Sequence, residues 1–212
     1  MIEQFVDNLP SHMLNPKTIL ELGVCDGAQS VELSTRFPDA RIYSFDASPR
    51  CAVDIRETIK GRDNITFNQL AVGDRDYDTV FKMCEGLEHN QKGSGSLLPL
   101  AGRFGQSKGW RQVDVPVHVT RLDTWAAAND VQSVDLIWSD LQGCDYEALI
   151  GLGSLLDTVQ AVYAEVMYSP IYEGQKLFGD VDMLLAGRGF SLVGNWPLPA
   201  PHVFGDALWL RV

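Results

Sequence analysis

The sequence has no surplus of positive charge. Lys and Arg number 17 against 28 Asp and Glu, giving a formal net charge of -11 at pH 7. A broad nucleic-acid-binding surface needs the opposite balance, so no nucleic-acid partner is expected. Long apolar runs are also missing, and none approaches the roughly 20 residues of a membrane span. No basic start leads into an apolar stretch, as a signal peptide requires. Cysteine is sparse: Cys25, Cys51, Cys84 and Cys144 include no C-x-x-C pair and no histidine at zinc-ligand spacing. Reduced thiols in a cytoplasmic protein are therefore expected. What is present, 45% hydrophobic and 21% charged residues over 212 positions, is ordinary globular composition. Without repeats or linkers, it predicts a single domain spanning residues 1–212.

Apolar runs alternate with helical patterns along the chain. TILELG (18–23), ARIYSFDAS (40–48), NITFNQLAVGD (64–74), SVDLIWSDLQG (133–143) and VQAVYAEV (159–166) read as strands. TVFKM and VDVPVHVTRLD add two more, flanking a Gly/Ser-rich segment at 86–109 that exceeds the usual connection length and is either a lid or disordered. Helices fall between the strands. In one, Ser48 is a natural N-cap with Pro49 at the first helical position, and Gly61 is the stop. Strands alternating with helices predict an α/β fold with a mostly parallel sheet. FSLVGNW and DALWLRV close the chain with only a Pro-rich loop between them. A parallel return needs a crossover of roughly a dozen residues or more, so this final pair is expected to be antiparallel.

One further absence concerns chemistry. In the first strand-to-helix loop, LELGVCDGAQS, the glycines follow Glu-x-Gly-x-x-x-Gly, and Cys25 stands where a dinucleotide fingerprint has its middle glycine. That side chain crowds a diphosphate and neighbouring Asp26 repels one. Gly23 and Gly27 still let the backbone come close to a ligand. Asp46 ends the second strand about twenty residues further on, where a carboxylate accepts ribose hydroxyls. An unphosphorylated, cationic nucleoside such as S-adenosylmethionine satisfies all of these features.

Several segments together resemble the FkbM-type S-adenosylmethionine-dependent methyltransferases. LELGVCDGAQS is similar to that family's first motif, IYSFDASPR to its second-strand end, and NQLAVGD to its third-strand segment. VTRLDTW followed by VDLIWSDLQGCDYEALIGL resembles its fourth-strand motif, VYAEV its fifth strand, and GSGSLL a Ser-rich segment. The similarity covers residues 17 to 195. This chain departs from the pattern in several places: Cys25 replaces an Asn, Asp46-Ala47 a Glu-Pro, Trp138 a Lys, Gln142 a Glu and Asp145 a Glu, while Asp140 and Gly143 match. The resemblance implies a Rossmann-like, seven-stranded class I methyltransferase fold with an antiparallel final strand. It also implies methyl transfer to a hydroxyl of a sugar, glycan or secondary metabolite.

The expected roles follow. Asp46 holds the ribose, with Ala47 on one side of the adenine and Ala71 and Val72 on the other. Glu21 orders the first loop, reaches the cofactor's amino end, or simply caps nearby backbone N–H groups. Ser30 either bonds the cofactor carboxylate or faces the core. Asp140 positions the acceptor hydroxyl, acts as its base, ligates a divalent metal with Glu165, or simply caps the next helix. His89, in the polar loop, is a second candidate base. Trp110 and Trp138 either stack on the acceptor or pack internally. Two other readings stand beside these: a nucleotide-cofactor oxidoreductase using NAD, and a non-catalytic module that binds S-adenosylmethionine. The acceptor's identity, metal dependence and oligomeric state are not legible in the sequence.

Overall fold

The computed structural model describes residues 2–85, 92–102, 109–201 and 203–212. In chain order its main elements are α1 (Ile2–Asp7), β1 (Thr18–Leu22), α2 (Ala28–Arg36), β2 (Arg41–Phe45), α3 (Pro49–Thr58), β3 (Ile65–Asn68), β4 (Ala71–Val72) and β5 (Tyr77–Glu85). There follow β6 (Arg111–Thr120), α4 (Leu122–Ala128), β7 (Leu136–Ser139), α5 (Asp145–Gly151), β8 (Ala161–Met167), α6 (Phe178–Ala186), β9 (Phe190–Pro197) and β10 (Phe204–Arg211). Seven strands form one sheet in the order β3-β2-β1-β7-β8-β10-β9. Its first five strands are parallel, and β10 runs antiparallel to both β8 and β9. The antiparallel finish predicted from loop length is present.

Two expectations change. The third predicted strand, 64–74, is two. Asn68 accepts the N–H of Leu70 at 3.0 Å, turning the chain out of the main sheet. Ala71–Val72 then pairs with β6 in a separate three-stranded sheet, order β4-β6-β5. The short helix α1 has no counterpart in the sequence reading. It is held by Phe5, which is fully buried edge-on against Trp138 and Tyr163, with ring centroids at 5.4 and 5.6 Å.

Alternating side chains divide β1 between the two faces of the sheet. Leu20 and Leu22 pack with Phe45, Trp125, Leu149 and Val162 under α4 and α5. Ile19 packs with Leu33, Ile42, Leu136 and Trp138 under α2. Trp138 stacks on Tyr163 with centroids 4.2 Å apart and is 5% exposed, so of its two readings the structure shows internal packing. Strand order reverses between β1 and β7, and the loops that leave their carboxyl ends diverge there. In an open α/β sheet this crevice receives the ligand.

Candidate active site

The loop after β1 owes its shape to backbone crowding. Gly23 has φ +85°, and a Cβ at this position lies 1.9 Å from the carbonyl oxygen of Asp140. The first loop and the loop after β7 thus touch main chain to main chain, which only glycine permits. Gly23→Ala is expected to cost about 3 kcal/mol or more through overpacking and left-handed strain, read as a lower urea midpoint. Gly27, with φ +84°, passes α3, where an added Cβ lies 3.1 Å from the Thr58 Cβ. Its closeness is to the protein rather than to the cavity described below, which Gly23 lines.

Asp46 locks this loop from below. Its Oδ2 accepts the N–H of Cys25 at 2.8 Å and its Oδ1 the N–H of Ser48, also at 2.8 Å. Ser48 in turn caps α3 as expected, its hydroxyl accepting the Cys51 N–H at 3.3 Å. Burial raises the Asp46 pKa against the lowering effect of these hydrogen bonds.

Glu21 resolves differently from Asp46. The face of β1 that carries it looks onto α2, where it is 1% exposed. Its Oε2 accepts the Ser30 hydroxyl and, at 2.6 Å, the Ser44 hydroxyl, while Oε1 has no hydrogen-bond partner. Glu21 thus ties β1 to α2 and β2 rather than to the first loop, and Ser30 is fully buried beside it. Burial pushes the Glu21 pKa up from 4.5 to about 7. The folded state therefore holds a proton that the unfolded chain releases, and stability falls as pH rises from 4.5 towards 7. Glu21→Gln removes this dependence. The variant is expected to gain on the wild type by about 2 kcal/mol between pH 5 and pH 8, measured by paired urea denaturation.

A cavity of about 740 Å³, open mouth included, lies over the crevice. Gly23, Cys25, Asp46 and Ala47 line one side, and Leu70, Ala71 and Val72 form an apolar wall. Asp140 and Gln142 lie at the β7 side. Residues 92–97 cover it: Lys92, Gly93, Gly95 and Leu97 line the cavity, Lys92 pairs with Asp54, and Ser96 joins Lys82 through two backbone hydrogen bonds of 2.8 and 3.2 Å. This part of the Gly/Ser-rich segment is ordered against the site. His89 lies outside the described residues, as do 86–91 and 103–108.

Asp140 and Glu165, which one reading of Asp140 joined at a metal, lie on either side of a single amide. Gln142, with φ +51°, joins them: its Nε2 donates to Asp140 Oδ1 at 2.6 Å and to Glu165 Oε2 at 2.9 Å. The amide orientation is set by Tyr172, whose hydroxyl donates to Gln142 Oε1 at 2.8 Å. Asp140 lines the cavity and is exposed. Burial raises the pKa of both carboxyls, and the neighbouring Asp140 charge adds to the rise at Glu165. Two carboxyls set on either side of one amide favour the state in which they share a single proton. Asp145, not Asp140, does the anchoring behind them. It accepts the Ser139 hydroxyl and the Leu141 N–H at 3.1 Å, and burial pushes it up to about 7. Among the described residues, no three His, Cys, Asp or Glu side chains gather as a metal-binding group.

Gln142 also lines a second cavity of about 520 Å³, together with Trp110, Glu165, Tyr172 and Phe204. The sequence reading had flagged Gln142 only as a departure and had not singled out Tyr172 or Lys92. Tyr172 comes from the loop after β8 and carries no motif of its own.

A seven-stranded sheet with a reversed last strand, and a ligand cavity over its switch point, is the class I methyltransferase architecture. The family model for the methyltransferase FkbM domain matches residues 21–192, and the chain belongs to that family. It is 30% identical over 199 residues to the 2-O-methyltransferase NoeI of Sinorhizobium fredii, covering 90% of this chain and 77% of that one. Among solved structures it superposes on Aeropyrum pernix fibrillarin with natively bound S-adenosyl-L-methionine, with a TM-score of 0.55, 13% identity, and coverage of 93% and 68% of the two chains. Magnesium protoporphyrin IX methyltransferase from Synechocystis, also with the cofactor bound, gives a TM-score of 0.51 and 14% identity, over 100% of this chain and 80% of that one. Among the described residues, no helix is long and apolar enough to cross a membrane.

Proposed function

We propose that this chain, folding as one domain, uses S-adenosylmethionine to methylate a hydroxyl of a neutral sugar, glycan or secondary metabolite. The observation that carries this reading is the pair of cavities meeting at Gln142, one reaching Asp46 and the other Glu165. The first fits an adenosine: Asp46 offers a carboxylate to ribose hydroxyls, and Ala47, Ala71 and Val72 offer an apolar slot to the base. The bound cofactor supplies an electrophilic methyl group on a cationic sulfur. Asp140 accepts the acceptor's hydroxyl proton, while Glu165, whose pKa burial and the Asp140 charge raise, carries the proton the pair shares and leaves it that role. Gln142 keeps the two carboxyls in register, so the reaction rests chiefly on positioning. None of the described residues lining the second cavity is cationic, which favours neutral acceptors over phosphorylated ones. Trp110, Tyr172 and Phe204 suit the apolar face of a ring. The relative's 2-O-methyltransferase name is consistent with attack by oxygen.

Calorimetry with S-adenosylmethionine, S-adenosylhomocysteine and NAD tests the cofactor. The first two are expected to bind and NAD is not; the reverse result returns the oxidoreductase reading. Radiolabelled methyl transfer to a panel of neutral glycosides tests the reaction. Cofactor binding without transfer to any member would favour a non-catalytic module.

A further inference from the structure

The structure leaves one end of the expected cofactor without its partner. Ser30, read from the sequence as a candidate partner of the cofactor carboxylate, is fully buried against Glu21 and Ser44. The acids Asp46 and Asp140 line the cavity and repel an anion. Among the described residues that line it, Lys92 is the one cation.

The covering segment sets Lys92 over the first loop. A Cβ at Gly93 lies 3.3 Å from the Cys25 Sγ, and the Lys92 carbonyl oxygen lies 3.8 Å from the Cys51 Sγ. Ser96 pins the segment further along: its hydroxyl donates to the Gln142 carbonyl oxygen at 2.8 Å and accepts the Leu98 N–H at 3.1 Å. The Lys92 ammonium pairs with Asp54 of α3, and the two side chains are 24% and 41% exposed. A pair this open to water holds weakly. An ammonium on a flexible four-carbon stem turns from one anion to another by rotation about single bonds.

We propose that Lys92 is a specificity residue for the cofactor's amino-acid tail, exchanging Asp54 for the tail carboxylate as the nucleoside enters beneath residues 92–97. The cavity screens charge less than the water around Asp54 does, which favours the exchange. The two positive groups of the cofactor suit the acids of the cavity, and its one negative group suits Lys92. A nucleoside without the carboxylate gives Lys92 nothing to exchange for. Lys92 then stays on Asp54, and the nucleoside binds more weakly.

This inference rests on the cofactor reading above. Calorimetry on the full chain compares S-adenosylhomocysteine with S-adenosyl-3-thiopropylamine, the same molecule without its carboxylate. The wild type is expected to prefer the first by about tenfold or more, the worth of a charge-assisted hydrogen bond. Lys92→Met is expected to lose that preference by weakening S-adenosylhomocysteine alone. Asp54→Asn releases the ammonium and is expected to tighten S-adenosylhomocysteine about twofold, leaving the other ligand unchanged. An equal loss of both ligands in Lys92→Met would make Lys92 a support of the cover and overturns the proposal. So does an unchanged S-adenosylhomocysteine affinity in that variant, or a wild type that binds both ligands equally. Weaker S-adenosylhomocysteine binding by Asp54→Asn overturns the exchange, since the Lys92–Asp54 pair would then persist with the cofactor bound. If the wild type binds neither ligand, the cofactor reading fails and this inference fails with it.

Discussion

Asp140→Asn is expected to keep S-adenosylhomocysteine affinity within about twofold and to lose about a thousandfold in kcat, the scale of a positioned general base. The substitution preserves shape. It removes the carboxylate that accepts the proton, and it sets an amide against the Gln142 Nε2 donor, which approaches Asp140 at 2.6 Å. A capping role predicts something else. Asp145, not Asp140, accepts the Leu141 N–H and the Ser139 hydroxyl, so a structural loss belongs to Asp145. Calorimetry and single-turnover methyl transfer on the same preparation separate the alternatives, and retained turnover would remove Asp140 from the chemistry. The wild-type rate is expected to fall on acidification. Burial raises the Asp140 pKa, so the acid limb of the profile belongs above the ordinary carboxylate range, and below it the base is protonated and idle.

The second large effect is at Asp46. Asp46→Ala is expected to weaken S-adenosylhomocysteine binding about a hundredfold or more, the combined loss of a charged acceptor for ribose and of the loop's anchor. The anchor has its own signature. The N–H groups of Cys25 and Ser48 each lose a partner at 2.8 Å, so amide exchange at these two residues is expected to quicken even without ligand. Equal affinity in wild type and variant would dismiss the ribose role.

Much of this arrangement could be read before folding was considered, because the signals were local. The nine residues PLPAPHVFG between the last two predicted strands leave no room for a crossover, which fixed the direction of β10. Ser48-Pro49 marked the start of α3, and an acid ending β2 marked Asp46. Long-range packing accounts for what was not legible. Nothing in NITFNQLAVGD announces that the chain leaves the sheet at Leu70, since its apolar pattern continues through the turn. Glu21, an acid at the end of a strand, looks like a ligand contact; that it points beneath α2 depends on Ser30 and Ser44 arriving from two other elements. Gly23 was read as making way for a ligand. Its closest neighbour is the Asp140 carbonyl, a contact made across the whole crevice. Tyr172 carried no sequence signal because its role exists only through Gln142.

The central claim is that one cofactor bridges Asp46 and Asp140 with its reactive end towards Gln142 and the second cavity. A crystal structure of the chain with S-adenosylhomocysteine tests it most directly. The account predicts the ribose hydroxyls on the Asp46 carboxylate, the adenine between Ala47 and Ala71-Val72, and the sulfur facing Asp140. A nucleoside bound elsewhere, or one in this cavity with its sulfur turned away from Asp140, would contradict it.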